Sequence, residues 1–111
     1  MRQGKVFYKD HFAGIITETN DGEYVFQYDD LYVKDYPDEF ITFTMPVTNR
    51  PYNDRRLHPF FDGLIPEGWL LDIASAHWKI NKNDRMGLLL ACCQDCIGAV
   101  SIKPKTEGDG E

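Results

Sequence analysis

Apolar residues change their spacing halfway along this chain, and that change limits the folds open to it. Up to residue 28 they alternate. In "EYVFQY" (23–28), Tyr24, Phe26 and Tyr28 share one face while Glu23, Val25 and Gln27 share the other, the period of a half-buried strand. "KVFY" (5–8) and "HFAGIITE" (11–18) are β-rich runs separated by "KD", which is a hairpin signal. "NDG" (20–22) supplies a second turn, because Asp-Gly tolerates positive φ. From residue 66 onward the spacing becomes three to four. Leu70, Ala74 and Trp78 stack at i, i+4 and i+8, beside a row of Trp69, Ile73 and Ala76, so 66–79 reads as an amphipathic helix. Trp78, deep in that helix, is expected in the core. "NKND" (81–84) offers an N-cap, and Met86, Leu89, Leu90 and Cys93 then mark a further helix.

The segments between are less regular. "DDLYVKDYPDEF" (29–40) is acidic and holds Pro37, so it reads as a loop with room for a short strand. "FITFTM" (40–45) is β-branched and aromatic and reads as a strand ended by Pro46. "PVTNRPYNDRR" (46–56) reads as a long loop. "LHPFFDGLI" (57–65) reads as a short helix. Pro66 and Glu67 suit the first turn of the next helix, where a missing N–H costs nothing and the helix end is positive. "CIGAVSIKP" (96–104) returns to strand, expected to insert into the sheet or flank it. "KTEGDGE" (105–111) is a polar tail expected to be disordered. The order of strands, then helices, then one strand predicts an α+β fold. It has a small antiparallel sheet with two or three helices packed on one face. The domain is expected to span 1–104, with 105–111 as an acidic tail.

At 111 residues the chain suits one domain burying about 65% of its unfolded surface. Its 42% hydrophobic and 14% aromatic content argues against disorder of the whole. A net charge of −6 argues against direct nucleic-acid binding, which favours a basic face. The three cysteines, Cys92, Cys93 and Cys96, are too clustered to staple the fold and suit a reducing cytoplasm. No run is apolar enough to be a signal peptide or a membrane helix.

Signs of catalysis are sparse. There is no phosphate-cradling glycine loop and no nucleophile elbow. His58 and Asp62 stand at i, i+4, the spacing of a base and its orienter, although a plain local contact is much the better reading. Cys93-x-x-Cys96 falls at a helix end, the wrong pole for a reactive thiolate, and no second pair completes a zinc site. Cys93 is better read as a small core residue. The acidic Asp29, Asp30, Asp35, Asp38 and Glu39 do not match a calcium loop and read as a solvated face. No metal, no cofactor and no catalytic residue is expected.

Two motifs carry a resemblance. "LHPFFDGLIPEGW" followed by "CQDCIGAVSIKP" resembles the N-terminal subdomain of HipA-type serine/threonine kinases. The matches are Phe60, Phe61, Asp62, Gly63, Leu64, Pro66, Glu67, Gly68 and Trp69, then Leu89, Asp95, Cys96, Gly98, Ala99 and Val100. "FITFTMPVT" is similar to the strand and proline that the family places before a variable loop. The resemblance covers about residues 4–104. Cys93 departs from it, standing where the family usually has glycine. A left-handed cap there would be strained for cysteine. The nucleotide-binding loop and catalytic aspartates that follow this region in the full kinases are absent from this sequence, so the resemblance implies no kinase activity of its own.

The resemblance further implies a bacterial, cytoplasmic, HipS-like antitoxin that docks on and restrains a separately encoded HipA/HipT-type kinase. A HipB-like DNA-binding repressor would be reached only through that complex. A complementing N-terminal lobe of a split kinase is the alternative. Met1 and the soft tail suit a natural short gene, and a cut piece of a longer kinase is the other possibility. For partner binding, the residues of interest are Phe60, Phe61, Asp62, Leu64, Pro66, Glu67 and Trp69. Half or more of the greasy ones are expected to fill the core; Trp69 is the best single anchor, and a core tryptophan is its equal alternative. Arg50, Arg55 and Arg56 form the one basic cluster with His58, read first as a solvated loop and second as an anion contact.

Overall fold

A computed structural model describes residues 1–94 and 99–105. Among them lie five strands and four helices. The strands are β1 (Arg2–Tyr8), β2 (His11–Glu18), β3 (Tyr24–Tyr28), β4 (Tyr52–Asp54) and β5 (Val100–Lys105). The helices are α1 (Asp30–Asp35), α2 (Pro59–Asp62), α3 (Gly68–Trp78) and α4 (Arg85–Cys92). The sheet is antiparallel in every pairing, in the order β4-β3-β2-β1-β5, so the last strand flanks β1 at one edge. The α+β expectation holds.

One face of the sheet is the core. Val6, Ile16, Phe26, Tyr28, Val100 and Ile102 alternate onto it. They meet Phe61 of α2 and Met86, Leu88 and Leu89 of α4, all buried. The Leu90 side chain of α4 lies over Gly4 of β1, where there is no side chain to obstruct it. A Cβ there would fall 2.7 Å from Leu90 Cδ2 and 2.9 Å from Ile102 Cγ2. The opposite face carries Phe12, Ile15, Thr17, Val25 and Gln27 around an open depression, as is common for an antiparallel sheet with one covered face.

Three local expectations fail for physical reasons. The acidic stretch after β3 contains a helix, α1. The Asp29 side chain accepts from the Leu31 N–H at 3.2 Å and caps it, and Pro37 follows its end. "FITFTM" is not a strand. The buried Tyr28 hydroxyl donates to the Met45 carbonyl (2.6 Å) and accepts from the Ile41 N–H (3.1 Å), pinning the segment as a turn. Burial pushes that phenol up to about 12. The long loop contains β4, whose pairing with β3 sets Phe26 opposite Tyr52. The Tyr52 hydroxyl donates to the Pro46 carbonyl at 2.5 Å. Cys93 escapes the strain expected of a left-handed cap, since its φ is −108°. The beginning of the final strand (96–98) and the tail from 106 lie outside the described residues, and β5 itself runs to Lys105.

Candidate functional site: the outer face of the third helix

The motif "FFDGLIPEGW" turns from α2 into α3, and the structure divides its residues between two roles. Phe61 is fully buried, its ring 5.4 Å from Phe26 and 5.3 Å from Phe60. Ile65 is buried, and Phe60 and Leu64 are partly buried against the same core. Asp62 accepts from Arg85 Nε at 2.7 Å, which ties α2 to the first turn of α4. Pro66 is half-buried, while Glu67 and Trp69 are exposed. Thus Phe61 presents no surface, and Trp69, 69% exposed, presents the most of the group.

Helix α3 begins without a side-chain cap. Its N-cap residue Glu67 makes no capping hydrogen bond. Gly68 has φ +61°, a left-handed conformation in which any other residue would be strained. The helix ends on Lys79 in the same region of conformational space, where the Ile80 N–H donates back to the Ser75 carbonyl. Only Ser75 of α3 is buried; Leu71, Ala74 and, beyond the helix end, Ile80 are partly so.

Its apolar rows face out. Leu70 is 51% exposed, Ile73 55% and Trp78 50%. Trp78 is therefore not the core residue that its depth in the helix predicts. Between α3 and the end of α4 lies an open groove of about 540 Å³. Pro66, Leu70, Ile73, Trp78, Ala91 and Cys92 line it, with His77 and Gln94 as polar members. Trp69 stands beside it one turn before Ile73. A soluble surface does not ordinarily gather so many large apolar side chains in one place without a partner. The sequence signalled the rows through their spacing, but spacing alone made Leu70, Ile73 and Trp78 look inward-facing.

His58 and Asp62 each have a local partner of their own. His58 caps α2, its Nδ1 accepting from the Phe60 N–H at 3.0 Å, and burial lowers its pKa despite nearby Asp54. Asp62 is engaged by Arg85. Cys93 is buried, and its Sγ donates to the Leu64 carbonyl at 3.4 Å. Its sequence partner Cys96 lies outside the described residues. Among the described residues no group of His, Cys, Asp or Glu could hold a metal, and no helix is long and apolar enough to cross a membrane. Arg50, Arg55 and Arg56 are all exposed.

A structural contact that sequence reading missed entirely lies at the other end of the sheet. Arg2 donates Nε to Glu18 (2.7 Å) and both terminal nitrogens to Asp84 (2.7 and 3.0 Å). Asp84 also caps α4, accepting from the Gly87 N–H at 3.2 Å. The Arg2 guanidinium holds the Asp84 carboxyl below the usual carboxylate range, with the cap bond adding to the effect.

Comparison with known proteins agrees with this anatomy. A family model described as the HipA N-terminal domain matches residues 4–103. The chain is 31% identical over 107 residues to an uncharacterised protein of Haemophilus influenzae, covering 96% of each. A solved structure described as the N-terminal domain of HipA toxin superposes with a TM-score of 0.73 at 28% identity, over 96% of this chain and 95% of that one. With the family match spanning nearly the whole chain and the sheet, helices and motif in place, the protein belongs to the HipA N-terminal domain family.

Proposed function

We propose that this chain is a HipS-like, non-catalytic component of a toxin–antitoxin module that docks on and restrains a separately encoded HipA/HipT-type serine/threonine kinase in the bacterial cytoplasm. The observation that carries the reading is the outward apolar face of α3. Trp69, Leu70, Ile73 and Trp78 are each at least half exposed on one short helix. Large aromatics in such positions dominate interface energetics. Family membership supports the partner class, and the structural likeness to the N-terminal domain of HipA toxin supports the module. Trp69 is the central anchor, with Pro66 and the exposed edges of Phe60 and Leu64 extending the contact. Phe61 and Asp62 act indirectly: Phe61 supports the turn from beneath, and Asp62 fixes it to α4 through Arg85. Glu67, exposed at the helix start, is placed to pair with a partner cation.

The second reading is that the chain completes a split kinase. The uncovered outer sheet face favours it, since Phe12, Ile15 and Val25 give the domain a second apolar surface opposite the helices. A phosphorylation assay with the proposed partner, a HipA-like kinase, separates the readings. Restraint predicts that the wild-type chain suppresses phosphorylation and that a folded Trp69→Ala variant does not. A rise in activity on adding the wild-type chain would favour complementation. No effect and no binding would remove the partner assignment.

A further inference from the structure

Arg55 and Arg56, just beyond β4, share a notch of about 390 Å³ with Tyr24 of β3, Leu57, Asp62 of α2 and Arg85 of α4. Three arginines thus line one notch in a chain whose net charge is −6. Their charges are not equivalent. Arg85 is paired with Asp62 at 2.7 Å and also donates to the Lys82 carbonyl at 3.4 Å, so it is held in place and its charge is matched. Arg55 and Arg56 make no ion pair among the described residues. Asp54, outside the notch, accepts from the Arg56 backbone N–H at 3.3 Å, and its field falls on His58. The Tyr24 hydroxyl donates to Glu18 at 3.4 Å, and Glu18 is in turn bound by Arg2. Two unmatched cations therefore remain, beside one that is oriented.

We infer that this notch binds a phosphomonoester, as borne by a phosphorylated peptide segment. Such a group carries a charge of about −1.5 to −2 at neutral pH, which the two unmatched arginines neutralise. Arginine forks match phosphate oxygens in pairs. A polynucleotide fits less well. The notch is a single concave point rather than a stripe following a backbone, and the remaining surface is acidic. Arg50 is not among the lining residues and is dispensable. The inference does not depend on the exposed α3 face; the two share only Asp62 and Arg85, which brace the turn into α3.

Titration of the isotope-labelled full chain with phenyl phosphate, followed by the arginine Nε–H and tyrosine ring signals, tests it. Saturable shifts are expected at Arg55, Arg56, Arg85 and Tyr24. Arg55→Gln/Arg56→Gln, at exposed positions that leave the core intact, should weaken binding at least about tenfold. Arg50→Gln should leave it unchanged. Non-saturating shifts spread over all arginines, or an undiminished response in the double variant, would overturn the site. Tighter binding at the same residues by a short DNA duplex than by phenyl phosphate would overturn the assigned ligand.

Discussion

Helices α3 and α4, of 11 and 8 residues, are adjacent and both rich in apolar residues, yet they use their apolar rows in opposite ways. α4 buries Met86, Leu88 and Leu89 completely. Its start is capped by Asp84 and bound to β1 through Arg2, and its first turn is bound to α2 through Asp62. α3 has no side-chain cap, starts on a left-handed glycine and leaves Trp69, Leu70, Ile73 and Trp78 at least half exposed. One exposed ion pair, Lys82 with Asp72, reaches it from the loop before α4. The difference teaches that an apolar stripe records a need for burial without recording where the burial occurs. α4 satisfies that need inside the molecule. In the account proposed here, α3 satisfies it on a partner.

The comparison can be broken most readily in α4. Leu89→Ala should cost about 2–5 kcal/mol of stability, as for other fully buried leucines, and chemical denaturation measures it. A smaller change would mean that α4 is not the anchored helix. Gly4→Val should follow at about 1–3 kcal/mol, because the added atoms meet Leu90 and Ile102 in a packed interior. Next comes the cap. Asp84→Ala should cost about 1 kcal/mol, within the range for lost caps, while also releasing Arg2. Because Arg2 depresses the Asp84 pKa, the stabilisation this carboxylate provides is full above its unfolded pKa of about 3.9 and is lost as pH falls through the lower folded value. The variant should therefore lose less stability than the wild type on acidification below about pH 4. Equal slopes in a pH series of melting curves would show that the pair carries no linkage. The smallest effect is expected in α3, where Ile73→Ser should change stability by no more than about 0.5 kcal/mol. A large loss there would place that row in the core after all.

What the sequence revealed follows the same division. The strands of the first hairpins, the short helix at Pro59, both long helices and the flanking last strand were legible from period and punctuation. Helix α1 was hidden because six residues give too little periodicity and the acids around it look like loop. The 40–45 segment has strand composition, but a buried tyrosine hydroxyl, 13 residues from Ile41 and 17 from Met45, decides its shape. The Arg2–Asp84 bond joins residues 82 apart, beyond any local pattern. At the candidate site, Trp69 stood out as an aromatic beside a glycine at a helix start. Leu70, Ile73 and Trp78 did not, because their spacing is the same whether the helix faces inward or outward.

The central claim concerns which surface meets the partner, and amide hydrogen exchange reads it without any mutation. Exchange would be followed for the chain alone and with the proposed partner, a HipA-like kinase. Slower exchange across α3 and the adjoining end of α4 on adding the kinase, with the outer sheet strands unchanged, is the result this account predicts. Protection confined to the outer sheet face, with α3 exchanging as it does alone, would contradict it.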